Sequence, residues 1–180
     1  EQNPDKLAQF ISELQIQWYR VLPPHINDSF THVSAIDDTI RLGFLSIKGV
    51  WYDVGETIEQ ERKANGPYTS LEDFITRNTS IINKKTIESL AKAWAFTGLV
   101  DRKTILDNLQ AILDRSKNWW TDLSAGLFGG IMQPTLSLTP SPEAKKMEKL
   151  LMEYDVFKTF VSWHPFDGLY QYVKKKYSLI

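Results

Sequence analysis

The sequence predicts a mostly α-helical fold with one small β-hairpin. Three observations carry that prediction. Apolar residues recur three and four positions apart along most of the chain, as on one face of a helix. Helix-starting Asn, Ser and Asp and helix-stopping Gly and Pro punctuate it often, so the helices are short. One stretch, "FTHVSAIDDTIRLGFLSI", alternates instead, with Asp37-Asp38 at its middle and β-branched residues beyond, which suggests a hairpin.

Composition sets the bounds. A chain of 180 residues makes one domain or two small ones. Its 42% hydrophobic and 24% charged residues are those of an ordinary soluble globular protein. The net charge of −1 gives no general support for nucleic-acid binding, so any basic surface must be local. The absence of Cys excludes disulfides and thiolate metal sites and is compatible with a cytosol. No apolar run approaches the ~20 residues of a membrane span. The start, "EQNPDKLAQF", has neither the basic nor the apolar region of a signal peptide. With no initiator Met and an abrupt "KKKYSLI" end, the chain reads as a piece of a longer cytoplasmic protein.

The elements follow in order. Asn3-Pro4 opens the first helix as N-cap and first helical residue, and Leu7, Phe10, Ile11 and Leu14 form its apolar face. The pattern ends near Gln17, and Pro23-Pro24 makes "VLPPHIN" a turn. Trp18 falls where a left-handed Gly commonly ends a helix. After the hairpin, Lys48 to Trp51 is a tight connection into a charged helix, "YDVGETIEQERKANG", stopped at Asn65-Gly66-Pro67. Gly49 suits that connection; Trp51 stands where a second glycine would be natural. Ser70 and Asp73 start a third helix as a variant capping box. Asn83 starts a fourth, with Ile87, Leu90 and Ala91 on one face and Trp94 at its stop. Asp101 caps a fifth, "DRKTILDNLQAILDRS". Residues 118–140, rich in Gly, Pro, Ser and Thr, read as a loop or linker. Ser141-Pro142-Glu143 restarts helix, with a stripe of Met147, Leu150, Leu151, Tyr154, Phe157 and Phe160, closed by Trp163-His164-Pro165.

Two units of similar size, around residues 48 and 94, form a weak internal repeat. The first candidate site is therefore a helix-hairpin-helix unit at 44–64 with a partner at 84–116. In such a unit a short hairpin presents a helix N-terminus, whose free N–H groups and positive dipole end bind phosphate. Lys48, Gly49, Val50, Trp51 and Tyr52 would make that contact, and phosphate contacts do not read sequence. The alternative is a plain αα-corner with an exposed Lys48. Basic residues Arg62, Lys63, Arg77, Lys84, Lys85, Lys92, Arg102 and Lys103 share this region with Asp53, Glu56, Glu59, Glu61, Glu72 and Glu88. Most of these read as a solvated mixed-charge surface. Lys84 and Lys85, at a helix start, oppose the dipole and are better candidates for a functional contact. The second candidate is the Gly-flanked loop Ser124-Ala125-Gly126-Leu127-Phe128. Its two large apolar residues either fill a pocket on a partner or tuck onto the chain's own core. No catalytic constellation stands out: His25, His32 and His164 lack metal-ligand spacing, and there is no Asp-x-Asp, P-loop or GxGxxG.

Read together, these segments resemble the bacterial replicative DNA polymerase III alpha subunits, almost from end to end. "NPDKLAQFISELQIQWYRVLPPHIN" is similar to the end of their fingers region. "IRLGFLSIKGVW" with "IEQERKANGPYTSLEDFITR", then "INKKTIESLAKAWAF" with "DRKTIL", resemble their tandem helix-hairpin-helix module. "LSAGLFGG" is similar to the internal clamp-binding loop, and "FVSWHPFDGLY" to the segment entering the oligonucleotide-binding domain. The resemblance implies a multi-helix fragment in four parts: 1–47 end of fingers with the hairpin, 48–117 DNA-binding module, 118–140 clamp-binding linker, and 141–180 leading helix. It implies duplex DNA, a sliding clamp and other replisome subunits as partners, and no membrane. It implies a DNA-directed DNA polymerase whose magnesium-holding aspartates lie in a palm region upstream. No cofactor is implied for this fragment, which would be inactive alone.

Two departures stand out. Ser124 occupies the position at which the family's clamp motif usually has Gln, while Leu127 and Phe128 match. At Trp18, Trp51, Trp94 and Trp163 the family pattern has glycine, which suggests UGA codons read as glycine in the source lineage; Trp119 and Trp120 fit the same idea. Two rival readings are a protein-interaction module without DNA binding, and a helix-hairpin-helix segment of a repair nuclease or ligase.

Overall fold

A computed structural model describes residues 4–117 and 136–162. Seven α-helices and a three-stranded sheet make up the described residues. Helix α1 (Pro4–Ile16) ends where the apolar pattern stops. Strand β1 (Arg20–Leu22) follows, then β2 (Ser34–Ile36) and β3 (Thr39–Arg41). Strands β2 and β3 form the expected antiparallel hairpin around Asp37-Asp38, pairing Ala35 with Ile40. Asp37 adopts a φ of 52°, a left-handed conformation that a short polar side chain tolerates.

The sheet differs from expectation in two ways. Val21 and Leu22, read as the start of a turn, instead pair together with Arg20 parallel to β3, giving the order β1-β3-β2. Three residues before a Pro pair carry too little pattern to show a strand whose partner lies about twenty positions away. The hairpin also stops at Arg41, and Phe44–Ser46 closes into a single 3-10 turn. Gly43 permits this, because a Cβ there would sit 2.3 Å from the His32 carbonyl carbon.

Helix α2 (Tyr52–Asn65) ends at Gly66, which has a φ of 82°. In α3 (Leu71–Arg77) the Ser70 half of the capping box forms, while Asp73 reaches the N–H one residue before the N-cap. Ser70 Oγ accepts from Asp73 N–H at 3.0 Å, and Asp73 Oδ2 accepts from Thr69 N–H at 2.9 Å. In α4 (Lys84–Lys92) Asn83 Oδ1 caps Thr86 N–H, and Ile87, Leu90 and Ala91 are buried as their spacing requires. The expected fifth helix is two, α5 (Arg102–Asp107) and α6 (Leu109–Lys117). The break is Asn108, whose amide bonds Thr104 C=O and the Thr139 backbone in both directions. That side chain pins a distant segment, which no local pattern reveals.

The last described helix, α7 (Lys146–Phe157), starts five residues later than Ser141. Ser141 is occupied elsewhere: its N–H donates to Thr104 Oγ1 and its hydroxyl to Asp107 Oδ2. The helix ends at Lys158, with a φ of 58°, ahead of the predicted stop at 163–165. Two of the six residues of its predicted stripe are buried. Leu150 and Phe157 are buried, with Val156 and Glu153 beside them, but Met147, Leu151 and Tyr154 are exposed. One continuous core runs from Ile11, Ile26 and Leu42 through Phe44, Ile58, Phe74, Ile87, Phe96 and Ile112 to Phe157. No helix of the described residues is long and apolar enough to cross a membrane.

Candidate nucleic-acid interface

The first hairpin is anchored from both sides by core residues. Phe44, Ile47 and Val50 are fully buried. Between them the chain reverses: Val50 N–H donates to Ile47 C=O at 3.1 Å, and Gly49 has a φ of 84°. A bond from i+3 to i with positive φ at the third residue is the pattern of a type II turn, which favours Gly there. The turn is tied to α7 by Lys48 N–H, which donates to Val156 C=O at 2.9 Å. Glycine is therefore demanded at 49. Trp51 has a φ of −97°, extended backbone that any residue adopts, and it is the N-cap of α2 without a side-chain cap bond.

The site residues separate by burial. Lys48, Trp51 and Tyr52 are exposed at the start of α2, whereas the Val50 side chain belongs to the core and its N–H is used within the turn. Lys84 and Lys85 are both exposed at the start of α4, and Lys85 comes to the same place. Lys85 runs along Gly49, so a Cβ on that glycine would lie 2.8 Å from Lys85 Cε and 3.4 Å from Ser89 Oγ. The start of α4 and the hairpin before α2 thus meet, and the absence of a side chain at 49 leaves room for Lys85.

The remaining basic residues are engaged elsewhere. Lys63 pairs with Glu59 at 2.7 Å, Arg77 with Glu61 and Asp73, and Lys92 with Glu88 and Asp155. Arg62 donates to Ile26 C=O at 2.6 Å, and Arg102 stacks on Trp94. No salt bridge among the described residues engages Lys48, Lys84 or Lys85. Two carboxylates temper the local field. Asp53 lies in the first turn of α2. Asp155 is held below its ordinary carboxylate range mainly by Lys92, with Lys48 a lesser contributor.

The second hairpin is built differently. Trp94 (φ 70°) and Gly98 (φ 83°) turn the chain from α4 toward α5, where Asp101 accepts from Lys103 N–H at 3.3 Å. A cavity of ≈ 290 Å³ lies along this loop, lined by residues that include Phe96, Gly98, Arg102 and Lys149. His25 packs against this loop, with its Nε2 2.9 Å from Thr97 C=O, and His32 sits beside Tyr52. His164 lies outside the described residues, as do Trp119, Trp120, Trp163 and the loop residues Ser124, Ala125, Gly126, Leu127 and Phe128. Sequence reasoning missed Glu153, a fully buried carboxylate that accepts from Val161 N–H, Ser162 N–H and Trp94 Nε1. Its place in an apparent apolar stripe gave no signal.

A tight turn delivering α2, followed by a second helical turn, defines the class. Residues 19–105 match the family described as helix-hairpin-helix motif. Whole-chain comparison is more specific. The chain is 34% identical to the DNA polymerase III subunit alpha of Borreliella burgdorferi over 175 residues, covering 92% of this chain and 15% of that protein. It is 30% identical to the subunit of Aquifex aeolicus over 185 residues, covering all of this chain and 15% of that protein. For the Thermus aquaticus subunit the identity is 30% over 172 residues, covering 89% and 13%. The chain matches a segment of the DNA polymerase III alpha subunit, spanning about 15% of the length of these relatives.

Proposed function

We propose that this segment holds duplex DNA, without sequence preference, for a replicative DNA polymerase. The observation that carries the reading is the meeting of Lys85 with Gly49 beside exposed Lys48 at the start of α2, with Lys84 exposed at the start of α4 and no salt bridge among the described residues engaging these lysines. Free N–H groups at a helix start, with mobile cations beside them, suit a phosphate backbone. The test is a binding titration on unrelated duplexes of equal length, with and without Lys48→Glu. Equal affinities that fall together on substitution support the reading. A strong preference for one duplex, or indifference to Lys48→Glu, contradicts it.

The wider reading rests on the relatives' name. The whole protein would be a cytoplasmic DNA-directed DNA polymerase, a nucleotidyltransferase, working with other replisome subunits. Its magnesium would be held by aspartates of a palm region outside this segment. Among the described residues no cluster of three or more His, Asp or Glu could hold a metal, and no catalytic step is assigned to this chain. Ser124 to Phe128 would bind the sliding clamp, Leu127 and Phe128 as the apolar anchors. Leu127→Ala with Phe128→Ala should abolish retention on immobilised clamp and leave DNA affinity unchanged. A second reading, an interaction module without DNA binding, is favoured by the exposed Met147, Leu151 and Tyr154 on α7. Lys48→Glu separates the two, because only the DNA reading requires it to matter.

A further inference from the structure

All three tryptophans among the described residues stand at helix ends, and none of the three is in the core. Trp is normally a well-buried residue. Trp18 is 93% exposed and Trp51 65% exposed. Burial of the indole therefore does not account for Trp at either position.

Two of them also carry a backbone that a bulky residue resists. Trp18 has a φ of 67° and Trp94 a φ of 70°. Each occupies the same place in the same motif. Trp18 N–H donates to Gln15 C=O at 3.2 Å and Tyr19 N–H to Leu14 C=O at 3.0 Å. Trp94 N–H donates to Ala91 C=O at 3.2 Å and Ala95 N–H to Leu90 C=O at 3.0 Å. This pair of bonds is the Schellman ending, whose left-handed residue is usually Gly because it has no Cβ to clash. Among the described residues the other non-glycine positions with positive φ are Asp37, in a hairpin turn, and Lys158, at the end of α7.

Unlike Trp18, Trp94 makes side-chain contacts in this structure. Its ring lies 3.6 Å from the Arg102 guanidinium carbon, and its Nε1 takes one oxygen of Glu153 at 2.8 Å. Arg102 is 8% exposed, and its Nη1 has no hydrogen-bond partner. Glu153 is the charge that bears most on Arg102.

At Trp51 the φ is ordinary, but the residue is an N-cap with no side-chain cap bond. Gly serves at N-caps and large apolar residues do not. We infer that positions 18, 51 and 94 are glycine in the protein as its source cell makes it. The tryptophans would come from UGA codons that the cell decodes as glycine. UGA differs from the glycine codon GGA in its first base alone, so a single anticodon change in a glycine tRNA suffices. The inference rests on geometry at 18 and 94 and stands or falls apart from DNA binding.

Peptide mass spectrometry on the protein purified from its source cell tests it, with peptides covering residues 18, 51 and 94. Glycine at all three is the expected result, with UGA at the matching codons. Tryptophan at any of them, or a UGG codon there, overturns it. A second measurement checks the physical premise on the chain as written. Trp18→Gly should raise Tm by roughly 2–6 °C, and Trp18→Ala by less, because Ala still strains at positive φ. A Tm lowered by Trp18→Gly would remove that premise.

Discussion

Single side chains fix the hairpin's surroundings, and Glu59 shows how. Its Oε2 accepts from Thr31 N–H at 2.9 Å and from Thr31 Oγ1 at 3.0 Å, while Lys63 Nζ donates to Oε1 at 2.7 Å. The Lys63 bond and the Thr31 bonds, against a burial penalty, hold its pKa at about 2 in place of 4.5. A depressed carboxylate contributes stability above the unfolded pKa and loses it as pH falls through the folded one. Lys63 is mostly solvent-exposed, so the contribution is discounted to roughly 1–2 kcal/mol. Urea melts should show Glu59→Gln less stable by that amount at pH 7, with the gap closing between pH 4.5 and pH 2. Gly49→Ala is the complementary case. Its φ of 84° and the 2.8 Å approach to Lys85 Cε should cost about 1–2 kcal/mol and displace Lys85. Lower Tm and weaker duplex binding should appear together.

At the scale of elements, Arg77 locks the end of α2 to α3. It donates to Glu61 and Asp73 carboxylates and to the backbone oxygens of Glu61 and Gly66, and it stacks 4.3 Å from the Tyr68 ring centre. A planar fork serves these partners at once, and an ammonium cannot. Arg77→Lys should therefore cost about 1–3 kcal/mol in thermal or urea unfolding, despite keeping the charge. The start of α3 was readable from Ser70 and Asp73, because capping is local chemistry. The break between α5 and α6 was not, because Asn108 answers to Thr139, 31 residues away. The late start of α7 has the same origin in Ser141 and its bonds to α5.

For the whole molecule, a net charge of −1 means that the proposed DNA affinity would have to come from a local patch. Under that proposal Lys48, Lys84 and Lys85 set its size. The slope of log K against log salt should be about −3, and Lys48→Ala should reduce its magnitude by about 1. A slope near zero in a fluorescence titration would exclude the patch. The sequence by itself determined the short helices, their caps, the β2–β3 hairpin, and the Gly-type helix ends at 18 and 94. Those features depend on residues a few positions apart, where periodicity, capping and backbone sterics act. Only the tertiary structure decided that β1 joins the sheet, that Glu153 is buried, that Val50 faces the core, and that Lys85 lies across Gly49. Each of these depends on which distant segments pack together. Long-range packing leaves no periodic trace in a single sequence, because any one residue's partner can lie anywhere along the chain.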